Sequence, residues 1–368
     1  MAQSQPDPAT VVAPSAAVTA APASPTPPPN SQALPTPLPS GHETLEIDHD
    51  EHDDDVDSAL GDDQLTLSTA SLASSIRNYT YENGRRYHAY RSGEYILPND
   101  EKEQERMDLK HHIFTLILGG RSFVAPVGPN PQRILDVGTG TGIWAMEVAD
   151  AYPGADVLGT DLSPIQPAWV PPNLSFVIDD AESEWSYSPN KLFDLIHWRM
   201  LFTAIKDWPR LYEQAYKNLK PGGWLEVHEH ESDINSDDDS VLKAQDLKDW
   251  FKLVAEACAK FGKDSNIAHK QKQWMIDAGF VDVQEDVYKV PIGRWPKDKL
   301  QKEIGLYFQV QTLDGLEPVS MALFTRVLGL SKEQVDVMLV GPRKAVKNPE
   351  CHLYLRFYVV RGRKPESD

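Results

Sequence analysis

Ile134-Leu135-Asp136-Val137-Gly138-Thr139-Gly140-Thr141-Gly142-Ile143-Trp144-Ala145 carries the fold. An apolar run enters three alternating glycines and leaves them as a helix. Glycines permit the tight backbone turn and let a ligand lie against the main chain. Reading outward, Arg133–Val137 is a strand and 143–152 a helix stopped by Pro153-Gly154. Strands follow at 156–160, at 174–178, which ends in Asp179-Asp180, and at 193–198. Asp207 caps a helix that tolerates Pro209 in its first turn and stops at Pro221-Gly222-Gly223, before a fifth strand at 224–229. Alternating β and α units of this length predict an α/β fold with a parallel, doubly wound sheet.

Downstream the pattern changes. Leu247, Trp250, Phe251, Val254, Cys258 and Phe261 mark one face of a long helix, and a second helix spans about 267–278. A strand at 280–290, a mostly helical, lid-like insertion at about 292–350 and a last strand at 353–360 complete the chain. Upstream, Asp100 and Glu103 resemble a capping box for a helix that carries Met107, Phe114 and Ile117 on one side. The expected organisation is an arm at 1–76, a helical cap at 77–125 and the sheet domain at 126–364.

The arm stands apart in composition. The 368-residue chain has a formal charge of −19, and residues 1–76 hold twelve Asp or Glu with no Lys or Arg. Eleven of the 29 prolines fall in residues 1–41. Such a segment buries too little apolar surface to offset chain entropy, so it reads as a disordered acidic arm. The acidic balance argues against direct nucleic-acid binding. No apolar run reaches transmembrane length, and Met1–Pro6 lacks the basic and apolar regions of a secretory signal. Cys258 and Cys351 form no disulfide framework or zinc spacing, so the expectation is an intracellular protein, nuclear or cytoplasmic.

The glycine loop fits two cofactors. Gly140-x-Gly142-x-x-Ala145 with Asp161 about 20 residues on matches a dinucleotide fingerprint. Three features favour S-adenosyl-L-methionine. Asp136 precedes the loop, where a carboxylate suits an ammonium and repels a pyrophosphate. Asp179 and Asp180 end the third strand, where one can accept from an adenine amino group. Pro221-Gly222-Gly223 breaks the chain before the fifth strand. Asp161 is placed to accept from both ribose hydroxyls in either case. The cofactor set is Asp136, Gly138, Thr139, Gly140, Thr141, Gly142, Asp161, Leu162, Asp179 and Asp180.

These features resemble the class I S-adenosylmethionine-dependent methyltransferases. More narrowly, Asn83-Gly84-Arg85-Arg86-Tyr87-His88-Ala89-Tyr90 through Tyr95-Ile96-Leu97-Pro98-Asn99-Asp100-Glu101 resembles the fungal LaeA-like group. So do Gly142-Ile143-Trp144-Ala145 and Asp161-Leu162-Ser163-Pro164-Ile165-Gln166-Pro167. The resemblance covers about 79–364. It implies a Rossmann-like seven-stranded sheet with helices on both faces and an antiparallel last strand. It also implies methyl transfer to a protein or small-metabolite acceptor, tied to regulation or biosynthesis of fungal secondary metabolites. Velvet-type regulatory proteins are partners by the same resemblance. The competing readings are a catalytically weak scaffold that binds such partners and, more weakly, an NAD-dependent oxidoreductase.

Methyl transfer is an in-line displacement, so the protein holds acceptor and methyl in line and, where needed, removes the acceptor's proton. His197, at the end of the fourth strand, is the catalytic candidate, since an imidazole there can take a proton near neutral pH. Arg199 binds an acidic acceptor or, more in keeping with its surroundings, pairs with a carboxylate. Trp144, Trp169, Trp185 and Trp198 are either pocket walls or core. Tyr87, Tyr90 and Tyr95 either close over the cofactor or pack on the following helix. His228 and His230 lack a complete ligand set, so no metal is expected.

Overall fold

The computed structural model describes residues 35–41, 43–48, 79–91 and 93–366. A short hairpin, β1 (Thr80–Glu82) and β2 (Arg85–Tyr87), precedes helix α1 (Glu101–Ile117). Asp100 caps α1 by accepting from the Glu103 N–H. The reciprocal half of the expected capping box is missing, because the Glu103 carboxylate is taken by Arg106. Arg85 grips Asp100 through two hydrogen bonds of 2.6 and 2.8 Å, which ties the hairpin to the helix start. The hairpin was not legible in the cap region.

Seven strands build the sheet: β3 (Arg133–Val137), β4 (Asp156–Asp161), β5 (Leu174–Ile178), β6 (Phe193–Arg199), β7 (Leu219–His230), β8 (Val281–Ile292) and β9 (Leu353–Arg363). Their order is β5-β4-β3-β6-β7-β9-β8. The first five run parallel, and β9 runs antiparallel between β7 and β8. Parallel strands covered on both faces read as apolar runs. Ile134, Leu135 and Val137 are accordingly buried, and Asp136 is the polar exception among them.

Helix α2 (Ile143–Ala151) and its neighbours pack beside β3, β4 and β5. Helix α3 (Trp208–Asn218) shares a second apolar cluster with α5 (Gln271–Asp277). The third cluster joins α1, α4 (Gln245–Lys260), α6 (Lys299–Ala322), α7 (Lys332–Met338) and α8 (Val340–Lys347) to β8 and β9. Helices α6 to α8 fill the connection from β8 to β9. The expected helix at 267–278 divides into a 3-10 turn at Ala268–Lys270 and α5.

Two sequence boundaries moved. Helix α3 ends at Asn218, and Pro221-Gly222-Gly223 lies inside β7. The pairing jumps from Phe193–Leu219 to Leu195–Trp224, a bulge that Gly222 turns at a φ of +77°. A side chain at Gly223 would crowd the Phe193 carbonyl at 3.0 Å. The second change concerns the arm. Residues 35–41 and 43–48 lie against the body, although the sequence reading made 1–76 a mostly disordered arm. Leu38 is 2% exposed in the α1 cluster, and its N–H donates to the Ile117 carbonyl. Glu46 pairs with Lys297 and Asp48 with Lys302, so part of the acidic run meets cations of the α6 entry. The remainder of the expected disordered arm lies outside the described residues.

Candidate active site

The site forms where β3, β4 and β6 end, the crevice in which open α/β sheets take ligands. Gly138, Gly140 and Gly142 hold φ values of +68°, +60° and +82°, a region that favours glycine. The loop is fixed to β4. The Gly140 N–H donates to Asp161 Oδ2 at 2.8 Å, and the Thr139 N–H donates to the Thr160 carbonyl at 2.9 Å. A Cβ on Gly138 would meet Leu201 Cδ2 at 2.5 Å, and one on Gly140 would strike the Met107 methyl.

Asp136 is 3% exposed. Its carboxylate accepts from Thr139 Oγ1 at 2.6 Å and from His197 Nδ1 at 2.8 Å. Burial pushes its pKa up to about 6. Asp161 is likewise pushed up to about 6 by burial, against the lowering effect of the Ser163 and Gly140 N–H donors. Asp179 accepts from the Asp180 N–H. Asp180 accepts from the Glu182 N–H and Ser183 Oγ, with Arg91 at 3.4 Å. Leu162, Asp179 and Asp180 line the same cavity as Asp136, Asp161 and loop residues 138–141. Thr141 turns its hydroxyl onto Asp108 of α1 at 2.6 Å, and Gly142 serves as N-cap of α2.

His197 sits beside Asp136 because the two residues are in register on β6 and β3. Its ring stacks on Trp144 at 3.8 Å, and Nε2 is buried without a hydrogen-bond partner. Burial, with His228 and Arg199 nearby, holds its pKa well below the usual imidazole value, so the ring is neutral at pH 7. Nδ1–H then donates to Asp136. His197 borders the cavity, but Nε2, the nitrogen left as proton acceptor, is itself buried, which is poor geometry for the base role expected of it. Arg199 makes no direct ion pair within 4 Å among the described residues, but the carboxylates of Asp136, Glu147 and Asp108 are near enough to raise its pKa against burial. Met200 follows it at a φ of +59°, a strained conformation for a side-chain residue, and the turn brings Leu201 and Phe202 to the cavity wall.

The cavity, about 220 Å³, continues from the glycine loop into a chamber walled by Tyr95, Met107, Trp250, Phe251, Val254 and Phe308. Helices α1, α4 and α6 supply most of that wall. Of the four tryptophans weighed as pocket walls, Trp144 alone lines it. Trp198 and Trp185 belong to the α3 cluster, and Trp169 is 93% exposed. Tyr95 faces the cavity, whereas Tyr87 is core. Arg106 and Lys110 were missed. Spacing alone gives the signal, since 103, 106, 107 and 110 share one face of α1 with Phe114. Burial beside Arg106 brings the Lys110 ammonium down to about 7. His228 is engaged by Glu226 at 2.7 Å and His230 by the Glu231 carbonyl at 2.8 Å.

A family model described as a methyltransferase domain matches residues 109–285. The chain is 41% identical over 322 residues to methyltransferase pytC of Aspergillus terreus, covering 87% of this chain and 96% of that protein. It is 38% identical to the secondary metabolism regulator LAE1 of Cochliobolus heterostrophus, covering 82% of this chain and all of that one. With the protein-methionine methyltransferase laeA of Emericella nidulans the identity is 34%, over 82% and 80% of the two chains. A solved phosphoethanolamine N-methyltransferase 2 from Haemonchus contortus matches at 20% identity and a TM-score of 0.41, covering 71% of this chain and 57% of that one.

Proposed function

The chain belongs to the LaeA-like S-adenosylmethionine-dependent methyltransferases, and from that membership we propose that it methylates a largely apolar acceptor in the chamber between α1, α4 and α6. The acceptor is a small metabolite or a protein side chain that enters the chamber, in the service of fungal secondary metabolism. One observation carries the reading: a single cavity joins the glycine loop, Asp136 and Asp161 to the chamber of Trp250, Phe251 and Phe308. Methyl donor and acceptor would share one cavity there, as in-line transfer requires.

The donor fits the residues present. S-adenosylmethionine supplies an electrophilic methyl on a sulfonium, and its leaving group needs no acid. The glycine loop gives it close main-chain approach. Asp161 accepts from the ribose hydroxyls with the lone pairs that Gly140 and Ser163 leave free. Asp179 and Asp180 take the adenine end, Leu162 packs beside it, and Asp136 faces the ammonium. His197 holds the Asp136 carboxylate in place and is a positioning residue. An acceptor that must lose a proton meets Lys110, whose lowered pKa leaves neutral amine at pH 7.

The test is transfer of labelled methyl from S-adenosylmethionine into a fungal extract, separated into protein and small-molecule fractions. Label in either fraction, lost when the chamber is blocked by Gly315→Trp, supports the reading. Tight cofactor binding with no label transferred would leave the scaffold reading in its place.

A further inference from the structure

Helices α1 and α6 meet along the chamber wall. The rings of His112 and Tyr307 lie 4.8 Å apart, a Cβ on Gly315 would lie 3.6 Å from Arg106 Nη1, and Lys102 pairs with Glu317 at 3.7 Å. Positions that rise along α1 fall along α6, so the two run antiparallel and Lys110 is level with residues 309–311. Lys110 and Gln311 both line the cavity. Lys110 makes no hydrogen bond or ion pair among the described residues. The same holds for the side chain of Gln311, although that residue is 5% exposed. The two carboxyls that act on Lys110 are committed elsewhere. Arg106 holds both oxygens of Glu103, one at 2.9 Å. Burial pushes Glu229 up to about 8, so it is protonated at neutral pH. Burial, with Arg106 nearby, brings the Lys110 ammonium down to about 7, as expected of a cation that lacks a counter-charge.

Around this end the chamber is apolar, with Trp250, Phe251, Val254 and Phe308 in its wall. Lys110 is also close to the donor's loop. It follows Met107 by one helical turn, and the Met107 methyl occupies the space in front of Gly140. A ligand that answers to these features has an apolar body and one acidic head. We propose that the methyl acceptor is a small apolar carboxylic acid, whose carboxylate is held by Lys110 and Gln311 and takes the methyl on oxygen. The proposal rests on the methyl-transfer reading above. A protein Asp or Glu fits less well, because its one or two methylenes leave the apolar wall uncovered. In the transfer, a carboxylate lone pair attacks the methyl carbon and the carbon–sulfur bond pair returns to sulfur. The products are a methyl ester and S-adenosylhomocysteine. The acid has already lost its proton in water, so no base is needed, in keeping with the buried Nε2 of His197. The neutral ester no longer pairs with the ammonium, which favours its release.

Labelled-methyl transfer by the full chain in the fungal extract tests this. The small-molecule product is treated with mild alkali, which hydrolyses a methyl ester and frees its label as volatile methanol. Most of the label should become volatile. Label that survives alkali, or alkali-labile label in the protein fraction alone, overturns the proposal without any variant and leaves methyl transfer standing. Lys110→Met should lower the initial labelling rate roughly 10- to 100-fold, and Gln311→Leu about 3- to 10-fold. Lys110→Arg should recover part of the rate. Affinity for S-adenosylhomocysteine, read by calorimetry, should stay within about threefold in all three. An unchanged rate in Lys110→Met, or a loss of cofactor affinity as large as the loss of rate, overturns the proposal. No label in either fraction removes the methyl-transfer reading itself and this proposal with it.

Discussion

Replacing Asp161 by Ala separates two effects that the structure places on one carboxylate. Its oxygens accept from the Gly140 N–H at 2.8 Å and the Ser163 N–H at 2.9 Å, so it braces the glycine loop. Each such bond to a charged group contributes about 1.5–3 kcal/mol. The pair would cost about 3–6 kcal/mol if nothing replaced them. Two facts reduce that figure. The residue is half-buried, so water from the cavity reaches the freed N–H groups. Burial also raises its pKa to about 6, a sign that the protein holds this carboxylate at a desolvation cost that the variant escapes. A net loss of about 1–3 kcal/mol follows, or a Tm drop of roughly 2–12 °C. Cofactor affinity falls separately, because the ribose loses a charged acceptor: about 1.5–3 kcal/mol, or 10- to 150-fold in Kd. Calorimetry with S-adenosylhomocysteine on folded Asp161→Ala reads this directly. An affinity within twofold of wild type refutes the reasoning. The pH dependence adds a check. Protonation of Asp161 and Asp136 near pH 6 removes both negative charges, so wild-type affinity should weaken below pH 6, and Asp161→Asn should flatten part of that decline.

Glu229 is buried with one oxygen unpartnered, and burial pushes its pKa up to about 8. A carboxyl raised in the folded state contributes stability below its unfolded pKa near 4.5 and loses it as pH rises through 8. Glu229→Gln keeps an acceptor for the Leu201 N–H, so at pH 9 it should melt above wild type by roughly 2–8 °C, with the gap narrowing through pH 6 and closing towards pH 4.5. His197→Asn should weaken S-adenosylhomocysteine several-fold by loosening Asp136. Its labelled turnover at saturating cofactor should change by less than about tenfold, and a loss of about 10²–10⁴ would restore the base role. A chain starting at residue 49 should melt below one starting at Pro35, because it loses the burial of Leu38, about 1.5–3 kcal/mol. Equal melting points would show that the 35–48 strap adds nothing.

The sheet was legible because its signal is local. Apolar runs of five or six residues between glycine and proline punctuation gave the parallel strands and the crevice, and the Asp136–Gly142 loop gave the cofactor end. What escaped depends on contacts between distant segments. Leu38 lies in a proline-rich, acidic stretch, and only the apolar face of α1 makes it core. Pro221-Gly222-Gly223 looked like a helix stop, yet pairing with β6 draws it into β7 as a bulge. The four tryptophans carried no hint of direction, so Trp144 and Trp169 looked alike although one is 1% and the other 93% exposed. Of the residues that wall the chamber, Trp250 read only as part of an amphipathic helix face, and Phe308 fell unremarked inside the helical insertion. Arg199 looked like a residue that would pair directly with a carboxylate, and it lines the cavity with three carboxylates nearby instead.

The central claim is that donor and acceptor share one cavity at the ends of β3, β4 and β6. A crystal structure with S-adenosylhomocysteine tests it most directly. The ribose should lie on Asp161, the homocysteine head beside Asp136, and the sulfur should face the chamber of Trp250, Phe251 and Phe308. A ligand bound elsewhere, or a sulfur turned away from that chamber, would contradict the claim.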